Sequence, residues 1–355
     1  MEHYQDLVSS KEENSMKALF IGGTGTISSE ISALCVKQGW QLTLLNRGNA
    51  RDRDPAGAET VTCDIYNEEQ VLAALGDRTF DVVADFIAFT PEHVERDIRL
   101  FKGRCAQYIF ISSASAYMKP LPSPVVTEST PLINPYWTYS HNKALCEETL
   151  MRACRDQGFP VTIVRPSHTY CERSVPVALH GPKGSFQVLE RIRLGKKVIV
   201  PGDGLTWWTL THSRDFAVAF VGLMGNIHAI GEAYHITGDE RLTWNQVYEC
   251  IGAALGAKPK IVHIASETLA ALCDEYRGAL LGDKSNTLIL NNSKIKRAVP
   301  GFNAVIRFDQ GAREAVEYMY SHPECQREDP AFDLWCDRVI EGYERMIDAL
   351  PRFDH

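Results

Sequence analysis

Residues 17–28 read Lys17-Ala18-Leu19-Phe20-Ile21-Gly22-Gly23-Thr24-Gly25-Thr26-Ile27-Ser28. An apolar run passes straight into closely spaced glycines, and a helical pattern follows over about 27–38. Glycine lets the backbone turn tightly and approach an anion, and the helix behind it offers that anion its N-terminal amides and dipole. Between a first strand and a first helix, such a loop is the mark of a dinucleotide pyrophosphate site. On this reading Gly22, Thr24, Gly25, Thr26 and Ile27 touch the cofactor. The alternative is a plain strand–helix turn.

Outward from this loop, strand and helix alternate. Apolar runs at 18–21, 41–45, 81–86, 107–111 and 161–164 fit buried strands, and helical stretches fall at 27–38, 67–75, 91–102 and 139–156. That alternation predicts an α/β fold, a doubly wound parallel sheet of the Rossmann type with a smaller C-terminal substrate-binding part. Residues 16–175 make mainly the dinucleotide-binding part and 176–355 mainly the substrate part, the two interleaved. Thr243-Trp244-Asn245-Gln246 has capping-box spacing and starts a helix to about Leu255. Phe332, Trp335, Val339, Tyr343, Met346 and Leu350 recur at helical spacing and read as core.

The totals narrow the class. The chain has 355 residues, 37 basic against 45 acidic, and a net charge of −8. No dense basic run offers itself to a phosphate backbone, so no nucleic-acid partner is expected. Its ten cysteines are scattered, without C-x-x-C or metal-ligand spacing. They read as reduced thiols of a cytoplasmic protein, with no metal. No stretch is apolar for long enough to span a membrane. Residues 1–15 are polar, without the apolar core of a secretory signal, and are expected to be a disordered extension.

Two positions extend the cofactor footprint. The second strand ends in Asn46-Arg47, where an acid usually binds the ribose diol of NAD. Arg47 can instead pair with a 2′-phosphate, which leans the choice narrowly towards NADP; the alternative is an arginine facing solvent. After the third strand, Asp64 in Cys63-Asp64-Ile65 can accept a bond from the adenine amine, with Ile65 beside it. Asp64 can equally cap the next helix.

Tyr139-Ser140-His141-Asn142-Lys143 puts a phenol and an ammonium four residues apart on one helix face. An unperturbed phenol, with a pKa of about 10, is a poor proton acceptor at neutral pH, and a neighbouring cation favours its ionised form. Strand Tyr108-Ile109-Phe110-Ile111 ends in Ser112-Ser113-Ala114-Ser115, which supplies hydroxyls to orient a substrate oxygen.

With these pieces together, the chain resembles the extended short-chain dehydrogenase/reductase superfamily, in its NAD-dependent epimerase/dehydratase branch. The matching stretches are GGTGTIS (22–28), DVVADFIA (81–88), FISSASAY (110–117), YSHNK (139–143), VRPSHTY (164–170) and LGKKVIVPGDG (194–204). The resemblance implies Ser113 as the catalytic serine, Tyr139 as acid–base and Lys143 on the nicotinamide ribose. It also places Phe86, Ile87 and Ala88 near the cofactor ribose and Pro166 and His168 near the carboxamide. It further implies a homodimer joined through 91–102 and 139–156.

Departures are informative. Ser28 stands at the third glycine, and Ala114-Ser115 replaces the Asp-Glu pair of sugar-nucleotide dehydratases, which argues against dehydration. Asp85 replaces a histidine after the fourth strand, and an asparagine expected near 167–168 is missing.

For the substrate, Trp207 and Trp208 can stack on a sugar or base, with Lys183 or Arg214 on a phosphate and Ser115 and His168 nearby. The alternative makes one tryptophan core and the other a rim contact. The expected activity is NAD(P)-dependent hydride transfer, as oxidoreductase or epimerase, on a sugar or nucleotide-sugar. Two other readings are a reductase of a small carbonyl metabolite and a non-catalytic protein like the chloroplast stem-loop RNA-binding proteins.

Overall fold

The computed structural model describes residues 15–353, so the extension expected at 1–15 lies, but for its last residue, outside the described residues. Seven parallel strands make the central sheet: β1 Lys17–Ile21, β2 Gln41–Asn46, β3 Glu59–Thr62, β4 Phe80–Asp85, β5 Cys105–Ile111, β6 Val161–Pro166 and β7 Ala233–Ile236. Their spatial order is β7-β6-β5-β4-β1-β2-β3. The order reverses between β1 and β4, and Ile21 lies level with both Leu45 and Asp85. The loops leaving β1, β2 and β4 therefore open on one crevice, where ligands of such sheets bind.

Central strands are covered on both faces, which is why β1, β4 and β5 read as continuous apolar runs. The edges do not. In β3, Glu59-Thr60-Val61-Thr62, no residue is fully buried, so hydrophobicity leaves it unmarked. At the opposite edge β7 returns from the C-terminal half to pair with β6.

Helices α1 (Ser28–Lys37), α2 (Glu68–Leu75), α3 (Pro91–Phe101) and α4 (Thr138–Gln157) follow the strands. Ile31 and Cys35 of α1 share one face of the sheet with Phe216 and Phe220 of helix Ser213–Leu223. Val71, Val94, Cys146 and Leu150 of α2–α4 cover the other. A separate core in the C-terminal part gathers Phe186, Trp208, Trp244, Phe308 and Phe332.

The capping box is present: the Thr243 hydroxyl accepts from the Gln246 amide at 3.3 Å, Gln246 Oε1 accepts from the Thr243 amide at 2.9 Å, and helix Trp244–Ala254 follows. The C-terminal stripe needs correcting. Phe332 is buried, but Met346 and Leu350 are about half exposed, at 50% and 54%. Helix Pro330–Ala349 runs past the edge of the core it packs on.

Candidate functional site

The glycine loop is shaped for a close backbone approach. Gly22 has φ +82°, and a Cβ there would lie 2.5 Å from Ile87 Cγ2. Ser28, at the third glycine position, stitches the loop: its hydroxyl accepts from the Gly25 amide and donates to the Gly22 carbonyl, both at 2.8 Å. No side chain caps α1, although the Ser29 amide of its first turn already donates to the Gly25 carbonyl at 3.0 Å. These features fit a dinucleotide pyrophosphate.

From this loop one hollow of ≈ 350 Å³ extends over the end of β2, lined by Thr24, Asn46, Arg47, Asp64, Ile65 and Ile87. Asn46 Oδ1 closes the turn by accepting from the Gly48 amide at 2.8 Å. Arg47 is exposed. Asp64 is not the helix cap: it accepts from the Tyr66 amide at 3.1 Å, while Asn67 caps α2 through the Gln70 amide.

A second cavity, ≈ 520 Å³, lies over the ends of β1, β4, β5 and β6, and holds Ser113, Tyr139 and Lys143 together with Thr26, Pro166 and His168. Tyr139 and Lys143 are on successive turns of α4, so both side chains reach the strand ends. Lys143 is 2% exposed, and its ammonium donates to the carbonyls of Ala88 (2.7 Å) and Ile111 (2.6 Å). Burial pulls its pKa down to about 8. The Ala88 segment is itself pinned, because the buried Asp85 accepts from the Ile87 amide at 2.6 Å and pairs with Arg96 at 3.1 Å. Asp85 thus anchors the loop beside the cavity.

Ser113 lies two residues past the end of β5 and bonds Tyr139. Behind it runs a hydroxyl chain: buried Ser140 donates to Ser115 at 2.7 Å, and Ser115 meets Ser113 at 2.9 Å. The expected easing of Tyr139 ionisation by Lys143 is absent. Burial raises the Tyr139 pKa, a hydrogen bond with Ser113 opposes this, and the Lys143 ammonium, 5.8 Å from the ring centroid, is turned to the two carbonyls. His168 lies in the same cavity, but burial holds its pKa well below the usual histidine range. It is a neutral imidazole there.

The folded Lys143 has a pKa below its unfolded value, so its charge opposes folding at neutral pH. Below pH 8 both states are protonated and the penalty is full, about 3 kcal/mol. Above pH 8 the folded state releases its proton first and stability recovers. Cofactor-free wild type is therefore expected to gain stability relative to Lys143→Met between pH 8 and 10 in urea titrations. A difference that does not vary with pH would refute the buried charge.

The proposed substrate contacts divide. Along strand Trp207–His212, Trp208 is buried against the cavity, while Trp207 is 45% exposed. One is wall, the other faces solvent. Arg214 is bonded to Glu314 and does not line the cavity. Lys183 lines a neighbouring hollow of ≈ 410 Å³ with Arg53, Arg173 and Arg327, which meets the main cavity at Thr26 and Ser174. Sequence reasoning missed Trp137, Asp283 and Lys284, which line the cavity. Only the Gly282-Asp283-Lys284 run in an aperiodic stretch hinted at them. Among the described residues no group of His, Cys, Asp and Glu is placed to hold a metal, and no helix is long and apolar enough to cross a membrane.

A doubly wound sheet with a glycine loop and a Ser–Tyr–Lys set at its switch point defines an extended short-chain dehydrogenase/reductase. The model of the NAD dependent epimerase/dehydratase family matches residues 18–237, and the chain belongs to that family. Among curated proteins it is 29% identical over 265 residues to a chloroplast stem-loop binding protein of 41 kDa from Arabidopsis thaliana, covering 70% of this chain and 65% of that protein. It is 24% identical over 262 residues to 2′-dehydrokanamycin reductase of Streptomyces kanamyceticus, covering 73% and 72%. Epimerase Mth375 of Methanothermobacter thermautotrophicus superposes with TM-score 0.73 at 16% identity, over 89% of this chain and 96% of that one. UDP-glucose 4-epimerase of Bifidobacterium longum, in complex with NAD+ and UDP, gives 0.69 at 16%, over 87% and 99%. At these identities the solved structures speak for the fold.

Proposed function

We propose that the protein is an NAD(P)-dependent oxidoreductase or epimerase that transfers hydride at a hydroxyl, or its ketone, on a sugar or nucleotide-sugar. The carrying observation is that Ser113, Tyr139 and Lys143 share one cavity with Thr26 of the glycine loop. When bound, the nicotinamide supplies the hydride acceptor. Tyr139, once ionised, takes the hydroxyl proton on its phenolate oxygen, Ser113 holds the substrate oxygen, and Lys143 holds the ribose at the price of a buried charge. Neutral His168 can donate or accept a hydrogen bond but does not compete as the base. The reductase named above supports the reverse direction, reduction of a sugar ketone, with the same residues. Net release of reduced cofactor identifies a dehydrogenase; product isomerised on retained cofactor identifies an epimerase. If purified protein moved hydride to neither sugars nor their ketones, the proposal would fail.

We further propose a preference for NADP. Arg47 lines the hollow beyond Thr24, and none of its neighbours Asn46, Gly48 or Asn49 is an acid that would repel a 2′-phosphate. A well-formed guanidinium–phosphate contact contributes about 1.5–3 kcal/mol, a preference of roughly tenfold to a hundredfold. Titrating both cofactors into wild type and Arg47→Ala tests this. Equal affinities, unmoved by the substitution, would show that Arg47 does not read the phosphate.

A further inference from the structure

Asp283 and Lys284 line the same cavity as the Ser–Tyr–Lys set, and cofactor binding gives them no role. They stand on a π-helical turn, Leu280–Lys284. Such turns are rare and concentrate at functional sites, because the widened turn re-aims its side chains. Here the turn is tied to the catalytic loop. Asn134 Nδ2 donates to the carbonyls of Gly282 (2.8 Å) and Ser115 (2.7 Å). Glycines let it close in: a Cβ at Gly278 would run into the Trp137 ring, and one at Gly282 would lie 3.0 Å from Asn134 Oδ1.

The pair is closed on itself by a hydrogen bond, with the buried Lys119 ammonium, which does not line the cavity, acting on both charges. Lys284 donates to Asp283 at 2.9 Å, and its ammonium lies 4.5 Å from the Trp208 ring centroid. The side chains are only 14% and 8% exposed. Asp283 acts on the Tyr139 ionisation and Lys284 on that of His168, so the pair's field reaches the reacting groups.

The charge count then selects the ligand. Among the described residues Lys143 and Lys284 are the cavity's cations, and no arginine lines it. Lys143 is committed to two carbonyls and Lys284 to Asp283. A phosphate placed here would lose its hydration without gaining a free counter-charge. A polyhydroxylated ring would find a carboxylate to accept its hydroxyls, an ammonium to donate, and indole walls to pack on.

We infer that Asp283 and Lys284 are the substrate-reading pair, and that the ring they read is a neutral, unphosphorylated sugar or glycoside. One hydroxyl of that ring sits at Tyr139, and its neighbours are shared between the carboxylate and the ammonium. This rests on the hydride-transfer reading above. The adjoining hollow with Arg53, Arg173, Lys183 and Arg327 is where a phosphate-bearing tail would find charge, so it supplies the competing outcome.

The test uses cofactor-loaded full chain. Calorimetry measures binding of UDP, and absorbance of the reduced nicotinamide follows single turnovers with neutral hexoses and methyl glycosides, and separately with UDP-glucose and UDP-galactose. The expected result is reduction by the neutral set and no binding of millimolar UDP. Asp283→Asn and Lys284→Met should each raise KM for the neutral substrate about tenfold or more, with cofactor affinity unchanged. Micromolar UDP binding lost in Arg173→Ala or Lys183→Ala, or turnover confined to the UDP-sugars, overturns the inference and leaves the hydride reading standing. So does a KM within about twofold of wild type in both variants. The absence of both reduced nicotinamide and isomerised product with either set overturns the hydride reading, and this inference with it.

Discussion

Tyr139→Phe is expected to lower hydride transfer by about 10²–10⁴-fold while cofactor affinity stays within about twofold. The substitution keeps the ring, which packs 4.9 Å from Trp137 and 6.4 Å from Phe89 between centroids. It removes only the oxygen that Ser113 addresses. Burial holds the Tyr139 pKa above its ordinary value, so the phenol stays neutral at neutral pH until a bound ligand changes its surroundings. Wild-type activity should therefore rise with pH as Tyr139 ionises, and the residual activity of Tyr139→Phe should lack that limb. Single-turnover rates across pH, with cofactor titrations on both proteins, check the claim. A variant that kept more than a few per cent of the wild-type rate would show that another group moves the proton.

The largest expected loss of stability comes from a network the catalytic set does not touch. Arg165 on β6 is bidentate to Glu147 on α4, at 2.9 and 2.6 Å, and donates to the Tyr117 hydroxyl at 2.8 Å. Tyr117 in turn bonds His235 of β7. Burial lowers the His235 pKa to about 4, so its ring is neutral. The Arg165 and Glu147 side chains are 7% and 4% exposed. Arg165→Met strands a buried carboxylate and should cost about 3–5 kcal/mol in urea unfolding. Replacing both partners by methionine should cost less than either single change, since no lone charge remains. Additive losses, or a single-variant cost below about 1 kcal/mol, would contradict a coupled buried pair. Glu147 lies one turn beyond Lys143, so the network also fixes α4 against the strand ends where Tyr139 works.

Much of this molecule is legible along the chain. The run into Gly22, the spacing of Tyr139 and Lys143 and the serines after β5 gave the sheet, the crevice and side chains that line one cavity. Each is local: strands covered on both faces must be apolar throughout, and residues four apart must share a helix face. Ser28 read as a weakened glycine loop, whereas its hydroxyl bonds hold the loop closed. Hydrophobicity could not mark β3, because an edge strand need not be buried. Nor could it separate Trp207 from Trp208, since alternation along a strand sends neighbours to opposite faces and the facing layer decides which one is wall.

What the sequence determined by itself is the fold class and the helical spacing that puts Tyr139 and Lys143 on one face, because short-range periodicity specifies them, while the family resemblance singled out Ser113, which lines the same cavity. Tertiary structure alone decided the rest: Asp85 as anchor of the Ile87–Ala88 segment, Arg214 paired with Glu314 outside the cavity lining, and Asp283 and Lys284 in the same cavity as Tyr139. The last of these joins residues far apart in the chain. It arises only when the glycines at 278 and 282 let a π-turn close on Trp137 and Asn134, and no local pattern records that approach.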